Sequence, residues 1–387
     1  MGWLRFAQAG FFTRLFAGVF GSGILVLAGQ VPVAANSVTC GDIVGLTPCY
    51  GFAHLRAAYD VPSDVIGTGE TIVVIGAYHN LTVNADLHAF DARPENLLPA
   101  PPTTVPIRMP DGFVGFDGSA NQKGWFQEDA VDLQMAHAIA PGANLVLVEA
   151  RTSSDADILS AINFAIDNNL GDVISMSFSE AESCPTAEFL ADQHAAFERA
   201  VVKGITLIAA SGNMGDRQFD CTGSPVTAVA TPASDPLVTA VGGSHLMPNG
   251  SEVAWADSRG ASGGGFSKVY RRPAYQAPFQ KNDESRGVPD VAWNASWTDA
   301  TLVCFHGVCG PGYGTSLATA EWAGVVALAD QAAGHRLGAV NEALYHAAKS
   351  NDASERFHSL GHGNWDAATG LGSPDVSNLI AWIALRF

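Results

Sequence analysis

Charge is what this 387-residue chain has least of: Asp, Glu, Lys and Arg together make up 15% of it. Basic residues are the scarcer half, 20 Lys and Arg against 38 Asp and Glu, for a formal net charge of −18. A chain this poor in cations has little with which to neutralise a run of phosphates, so nucleic acid is excluded as an expected partner. No Cys-x-x-Cys occurs, and no His-Glu-x-x-His, phosphate loop or dinucleotide fingerprint stands in a fitting context. No cofactor is therefore expected. Internal repeats and long low-complexity linkers are absent too, which favours one domain over an array.

The first 35 residues lack acidic groups altogether. They carry Arg5 and Arg14, the apolar run Leu15 to Gly29, and then small residues at Val33-Ala34-Ala35. The run is too short for a comfortable membrane span, and Gln30 and Pro32 follow it. Residues 1–35 are read as a removable secretory signal, which predicts an extracellular or periplasmic protein with no membrane association after cleavage. Taking Arg5 and Arg14 away makes the mature chain two charges more acidic. An acidic surface suits an acidic exterior, though charge alone does not decide that point. Residues 36–54 form a short N-terminal segment and residues 55–387 the main domain.

All six cysteines follow the signal, so disulfides are expected. Spacing alone leaves their pairing open. Local closure favours Cys40 with Cys49 and Cys304 with Cys309, which leaves Cys184 with Cys221.

Apolar residues, in contrast to charge, are plentiful at 47%, enough for a large buried core. Gly51 to Pro62 reads as a short helix, and Thr71 to Gly76 as a buried strand. Leu97 to Pro106, with four prolines, reads as a surface loop. Asn144 to Glu149, Val173 to Phe178 and Thr206 to Ala210 are short β-rich runs, separated by helical stretches at Asp155 to Asn168 and Thr186 to Lys203. Such alternation predicts an α/β fold, a mainly parallel sheet with helices on both faces. Ligands then sit at the carboxyl ends of the strands.

Three stretches carry chemistry. Pro311 to Gly324 is a glycine-rich loop running into an alanine-rich helix, with Ser316 in its first turn. Backbone N–H groups at a helix start can face developing negative charge, so Ser316 is the candidate nucleophile; the plainer alternative is an N-cap. Trp125 to Ile139 reads as a helix with Glu128 and Asp132 four residues apart on one face. Like charges so placed repel, and sharing a proton relieves them, which is how paired carboxylates supply a general base; the plainer alternative is a solvated acidic helix start. Asn213, in the turn Ser211-Gly212-Asn213-Met214-Gly215, offers an amide to an oxyanion, or simply suits a turn.

With these motifs in hand, the chain from about Leu55 onward resembles the sedolisins, or serine-carboxyl peptidases, which are secreted, mostly acid-acting endopeptidases with a subtilisin-like fold. The resemblance rests on Glu128-x-x-x-Asp132 with Ala140-Pro141-Gly142-Ala143, Ser175-Met176-Ser177-Phe178, Ser211-Gly212-Asn213, Pro232-Ala233-Ser234, Val241-Gly242-Gly243, Ser262 to Ser267, Pro289-Asp290-Val291 and Gly314-Thr315-Ser316. It implies Ser316 as nucleophile, Glu128 as its general base, Asp132 as the carboxyl that orients Glu128 and shares its proton, and a peptide or protein substrate. It further implies that Ser175 to Phe178 and Ser262 to Ser267 line the peptide cleft. A Ser-His-Asp set is disfavoured, because the first strand ends Ile75-Gly76-Ala77-Tyr78 without an Asp and no His-Gly-Thr-His follows.

The chain departs from the family pattern in four places. Asn213 stands where sedolisins carry Asp; an amide donates at any pH, so activity is expected to extend to higher pH. Ala320 replaces a helix-start proline. Near Asp366 the family's calcium loop is shortened, with Ser359 at the position of an essential aspartate, so a metal-free loop is expected in which Asp366 caps backbone amides. No long prosegment precedes the domain, so folding is expected either to do without one or to draw on a separate inhibitor or folding partner. The alternative to an enzyme is a sedolisin-like domain that has lost catalysis and binds peptides. Three sequons, at Asn80, Asn249 and Asn294, complete the candidates.

Overall fold

The computed structural model describes residues 38–39, 48–96, 98, 105–280, 284–361 and 363–387. The expected signal at 1–35, Cys40 and most of the proline-rich loop lie outside the described residues.

The β-branched runs form the strands of one central sheet: β1 (Thr71–Ala77), β2 (Ile107–Arg108), β3 (Asn144–Ala150), β4 (Val173–Met176), β5 (Thr206–Ala210), β6 (Thr239–Leu246), β7 (Glu252–Ala254) and β8 (Val291–Asn294). Their order is β7-β6-β5-β4-β1-β3-β2, with β8 also on β6, and every pairing is parallel except that of β7. Buried strand residues alternate between faces. Ile72 and Val74 join the core with Leu133, Ala136 and Ala323, whereas Val73 and Ile75 join Ile158, Ile162 and Phe197.

Those partners come from the helices α1 (Phe52–Ala58), α2 (Val83–Asp91), α3 (Ala120–Ile139), α4 (Asp155–Asp167), α5 (Ala187–Val202), α6 (Thr315–Ala333), α7 (Asn341–Lys349) and α8 (Val376–Ala384). Helices α3 and α6 cover one face of the sheet and α4 and α5 the other, the expected α/β arrangement. Helix α3 begins five residues before the apolar stripe does, because Ser119 accepts the Gln122 N–H as an N-cap. Glu128 is consequently in mid-helix rather than at an acidic start.

Two contacts join the helices that carry the candidate residues. Gly324 of α6 lies against α3 so closely that a Cβ there would sit 2.6 Å from Ile139 Cβ and 3.2 Å from the Ala136 carbonyl oxygen. The buried Gln134 side chain donates to the Cys304 carbonyl at 2.6 Å and accepts the Cys304 N–H at 2.8 Å. Cys304 belongs to the hairpin Ala300–Phe305/Val308–Gly312, which is bridged by Cys304–Cys309 and leads straight into α6.

The other cysteines need a correction. Cys49 is disulfide-bonded. The bridge expected between Cys184 and Cys221 is not formed: both are thiols, with Cys221 Sγ 3.4 Å from the Cys184 carbonyl oxygen, so the two residues adjoin without a bond. Two of the three sequons are closed by packing, since Asn80 and Asn294 are buried and hydrogen-bonded, while Asn249 is exposed in a turn.

Any side chain at Gly324 pushes α3 from α6. Gly324→Val is expected to cost about 1–3 kcal/mol or more through overpacking, read as a lower urea midpoint; an unchanged midpoint contradicts this packing.

Candidate active site

Ser316 is the second residue of α6, after Gly314, whose φ of 114° and ψ of 160° set the sharp entry that only glycine makes without strain. Its Oγ is 3.2 Å from the Ser177 carbonyl oxygen, and Ser177 Oγ donates to the Ser316 carbonyl, also at 3.2 Å. Ser177 follows β4, so the nucleophile candidate is pinned to a strand's carboxyl end, where the fold predicts a ligand.

Glu128 reaches the same point from α3. Burial pushes its carboxyl up to about 7, and a hydrogen bond from the Ser316 side chain opposes that rise. The Ser316 proton thus has two acceptors, Glu128 and the Ser177 carbonyl, and a single rotation selects the base. Asp132, buried one turn on, is driven well above the usual carboxylate range by burial and then by the Glu128 charge, and a Ser177 side-chain hydrogen bond works against this. The two acids cannot comfortably ionise together, so they are arranged to share one proton.

Asn213 sits in the loop after β5. Its Oδ1 accepts both the N–H and the hydroxyl of Thr315, at 2.8 and 2.9 Å. With its oxygen held there, the amide turns its NH2 group away from Thr315, and the Nδ2 atom lies beside Gly314. Thr315 Oγ1 also accepts the Gly212 N–H at 3.2 Å, so one hydroxyl fixes the loop to the helix start. Ser316, Glu128, Asp132 and Asn213 therefore converge from α6, α3 and the loop after β5.

Within Ser262 to Ser267, Ser262, Gly263 and Gly264 are buried against the Asn213 loop while Phe266 is exposed, and a Cβ on Gly263 would be 2.1 Å from the Ser211 carbonyl oxygen. That run supports the Asn213 loop from behind. Asp129, between Glu128 and Asp132 on α3, is 1% exposed, and neither of its oxygens meets a hydrogen-bonding protein group. The adjacent pair Glu128-Asp129 was its only signal.

Near the C-terminus, Asp366 accepts the N–H groups of Ala368 and Thr369 at 2.7 and 3.0 Å and the Thr369 hydroxyl at 2.7 Å. Ser359 donates to the Gly363 carbonyl at 2.7 Å. A calcium ion needs several free oxygens, carboxylates among them, and here the one carboxylate is committed to capping. Among the described residues of this loop, Asp366 is the carboxylate, and the three donors of Ala368 and Thr369 occupy its oxygens.

A parallel α/β sheet that brings a helix-start serine to paired carboxyls is the arrangement of a subtilisin-like scaffold. Comparison with known proteins agrees. The Subtilase family model (Peptidase_S8) matches residues 118–372. Kumamolisin of Bacillus sp. (strain MN-32) is 30% identical over 354 residues, 82% of this chain and 60% of that protein. Sedolisin of Pseudomonas sp. (strain 101) is 27% identical over 382 residues, 90% of this chain and 63% of that one. The solved structure of Pseudomonas sedolisin, a serine-carboxyl proteinase complexed with two molecules of pseudo-iodotyrostatin, superposes with a TM-score of 0.74 at 27% identity, covering 88% of this chain and all of that one. The chain belongs to the Subtilase family and, within it, to the sedolisins. It spans about three fifths of the length of kumamolisin and sedolisin.

The buried carboxyls make stability fall with rising pH. Unfolded Asp and Glu ionise near pH ~4, whereas Glu128, Asp129 and Asp132 keep their protons higher in the folded state. The folded protein then binds more protons than the unfolded one between about pH 4 and 7, and its stability drops across that window as pH rises. Unfolding temperatures measured through the window should fall; a flat or rising curve contradicts the burial of these acids in neutral form.

Proposed function

We propose that this protein is a secreted serine endopeptidase that works through an acyl-enzyme. The carrying observation is the convergence of Ser316 and Glu128, with burial holding the Glu128 carboxyl up at about 7. A group titrating there is matched to general-base work in mildly acidic solution. Ser316 Oγ attacks the substrate carbonyl carbon as Glu128 takes its proton, and Asp132 orients Glu128 and shares that proton. The Asn213 NH2 and the Ser316 N–H donate to the tetrahedral oxygen, one such donor being worth roughly 3–4 kcal/mol. Glu128 then returns the proton to the leaving amine, and water, deprotonated in turn by Glu128, releases the acyl group.

Family membership supports peptide or protein as the substrate class. Secretion is proposed from the sequence of residues 1–35; among the described residues no helix is long and apolar enough to cross a membrane. We further propose that no calcium is needed, on the strength of the committed Asp366 carboxylate.

Single-turnover cleavage of a denatured protein across about pH 3–8 tests the reading. Wild type is expected to cleave and Ser316→Ala to lose cleavage, while Asn213→Asp keeps activity in acid and loses it at lower pH than wild type does, because an aspartyl donor needs its proton. Coincident alkaline limbs would remove Asn213 from the oxyanion role. A folded wild type that cleaves at no pH turns the reading to a peptide-binding domain.

A further inference from the structure

Behind the Glu128–Asp132 pair lies a second group of ionisable residues that the proposed chemistry does not use. Asp129 points to the sheet, not to Ser316. A Cβ on Gly76 of β1 would lie 2.0 Å from Asp129 Oδ1, so this carboxyl rests directly on the Gly76 backbone and only glycine leaves room for it. Gly76 is paired in register with Glu149 of β3. Glu149 is fully buried, yet its Oε1 accepts the Asn80 N–H at 2.9 Å and its Oε2 lies 2.7 Å from His79 Nδ1. His79 is 18% exposed and lies 5.0 Å, ring to ring, from the exposed Phe113. From Ser316 outward the order is therefore Glu128 and Asp132, then Asp129, then Glu149, then His79 at the surface.

We infer that Asp129 is a positioning residue of the catalytic cluster: it fills from α3 the space left by Gly76 and holds a proton between the Glu128–Asp132 pair and the Glu149–His79 pair. The inference rests on the peptidase reading for its role in catalysis, while the proton itself is a property of the fold. Four carboxyls packed together cannot all be charged. Glu149 has His79 Nδ1 and the Asn80 N–H to oppose the effect of its burial, and Glu128 has the Ser316 hydroxyl. Asp129 has neither, and it faces Glu128 and Asp132 on its own helix, Glu149 on β3, and on β1 only a glycine. It is the carboxyl with least to stabilise a charge, in agreement with the direction in which burial and then Glu149, Asp132 and Glu128 push it. While Asp129 is neutral, the one negative charge shared by the catalytic pair is free to settle on Glu128. Ionisation of Asp129 places a further charge beside that pair and sets an alkaline limit on both stability and turnover.

The test uses the full chain with Ser316→Ala, which removes self-cleavage. Unfolding temperature is followed from about pH 4 to 8 for this parent and for versions also carrying Asp129→Asn or His79→Gln. Asp129→Asn, neutral at every pH, is expected to flatten the fall in stability toward neutral pH by nearly one bound proton. His79→Gln is expected to steepen it, because Glu149 loses the partner that favours its charge. With Ser316 restored, Asp129→Asn should move the alkaline limb of kcat/KM upward by about half a pH unit or more and leave the acid limb in place. A filler role alone lowers stability equally at every pH, so a parallel displacement of the Asp129→Asn curve overturns the inference. Should that variant not fold, a His79→Gln curve parallel to the parent's does the same. Absence of cleavage by wild type would instead count against the peptidase reading and leave the unfolding arms to decide the proton.

Discussion

The close approach of α3 to α6 is the constraint on which the site depends. Ser316 and Glu128 meet at one level, and eight residues further along both helices Gly324 meets Ala136, so the two run side by side in the same direction. A peptide carbonyl can be attacked only if base and nucleophile share a proton, and side chains as short as Glu and Ser bridge two helices only when the backbones nearly touch. Ala320, Ala323 and Gly324 on α6 and Ala136 on α3 make that approach feasible. The Gln134 amide then ties α3 to the hairpin that delivers Ser316. Packing is thus the first step of the chemistry.

That packing also dries the site. Close helices bury the acids between them, and the cheapest response is to retain protons. The scarcity of Lys and Arg, first seen as a compositional fact, has a local counterpart here. In the proposed mechanism a carboxyl raised by burial takes the place of the histidine of a Ser-His-Asp set. On the proposed oxyanion side, Thr315 fixes which way the Asn213 amide points.

Much of this was legible in the residues. Strands β1 and β5 were visible as β-branched runs, and Ser316, Glu128, Asp132 and Asn213 each stood in a motif whose chemistry depends on local spacing. What escaped depends on contacts across the sheet. Asp129 acquires its setting from Gly76 and Glu149, which are far from it in sequence and come together only through strand register. The start of α3 was set too late because a Ser119 cap, not an apolar stripe, begins it. The Asn80 and Asn294 sequons are indistinguishable from that at Asn249 until burial is known, and the Cys184–Cys221 proximity was readable while the bond between them was not.

The central claim is that Ser316 becomes nucleophilic by giving its proton to Glu128. Its most direct test is covalent trapping with a serine-directed fluorophosphonate, followed by peptide mapping in a mass spectrometer. The account predicts one adduct, on Ser316, formed readily by wild type and about a hundredfold more slowly, at the low end of general-base effects, by Glu128→Gln. An adduct on another serine, or equal trapping rates in the two proteins, would contradict it.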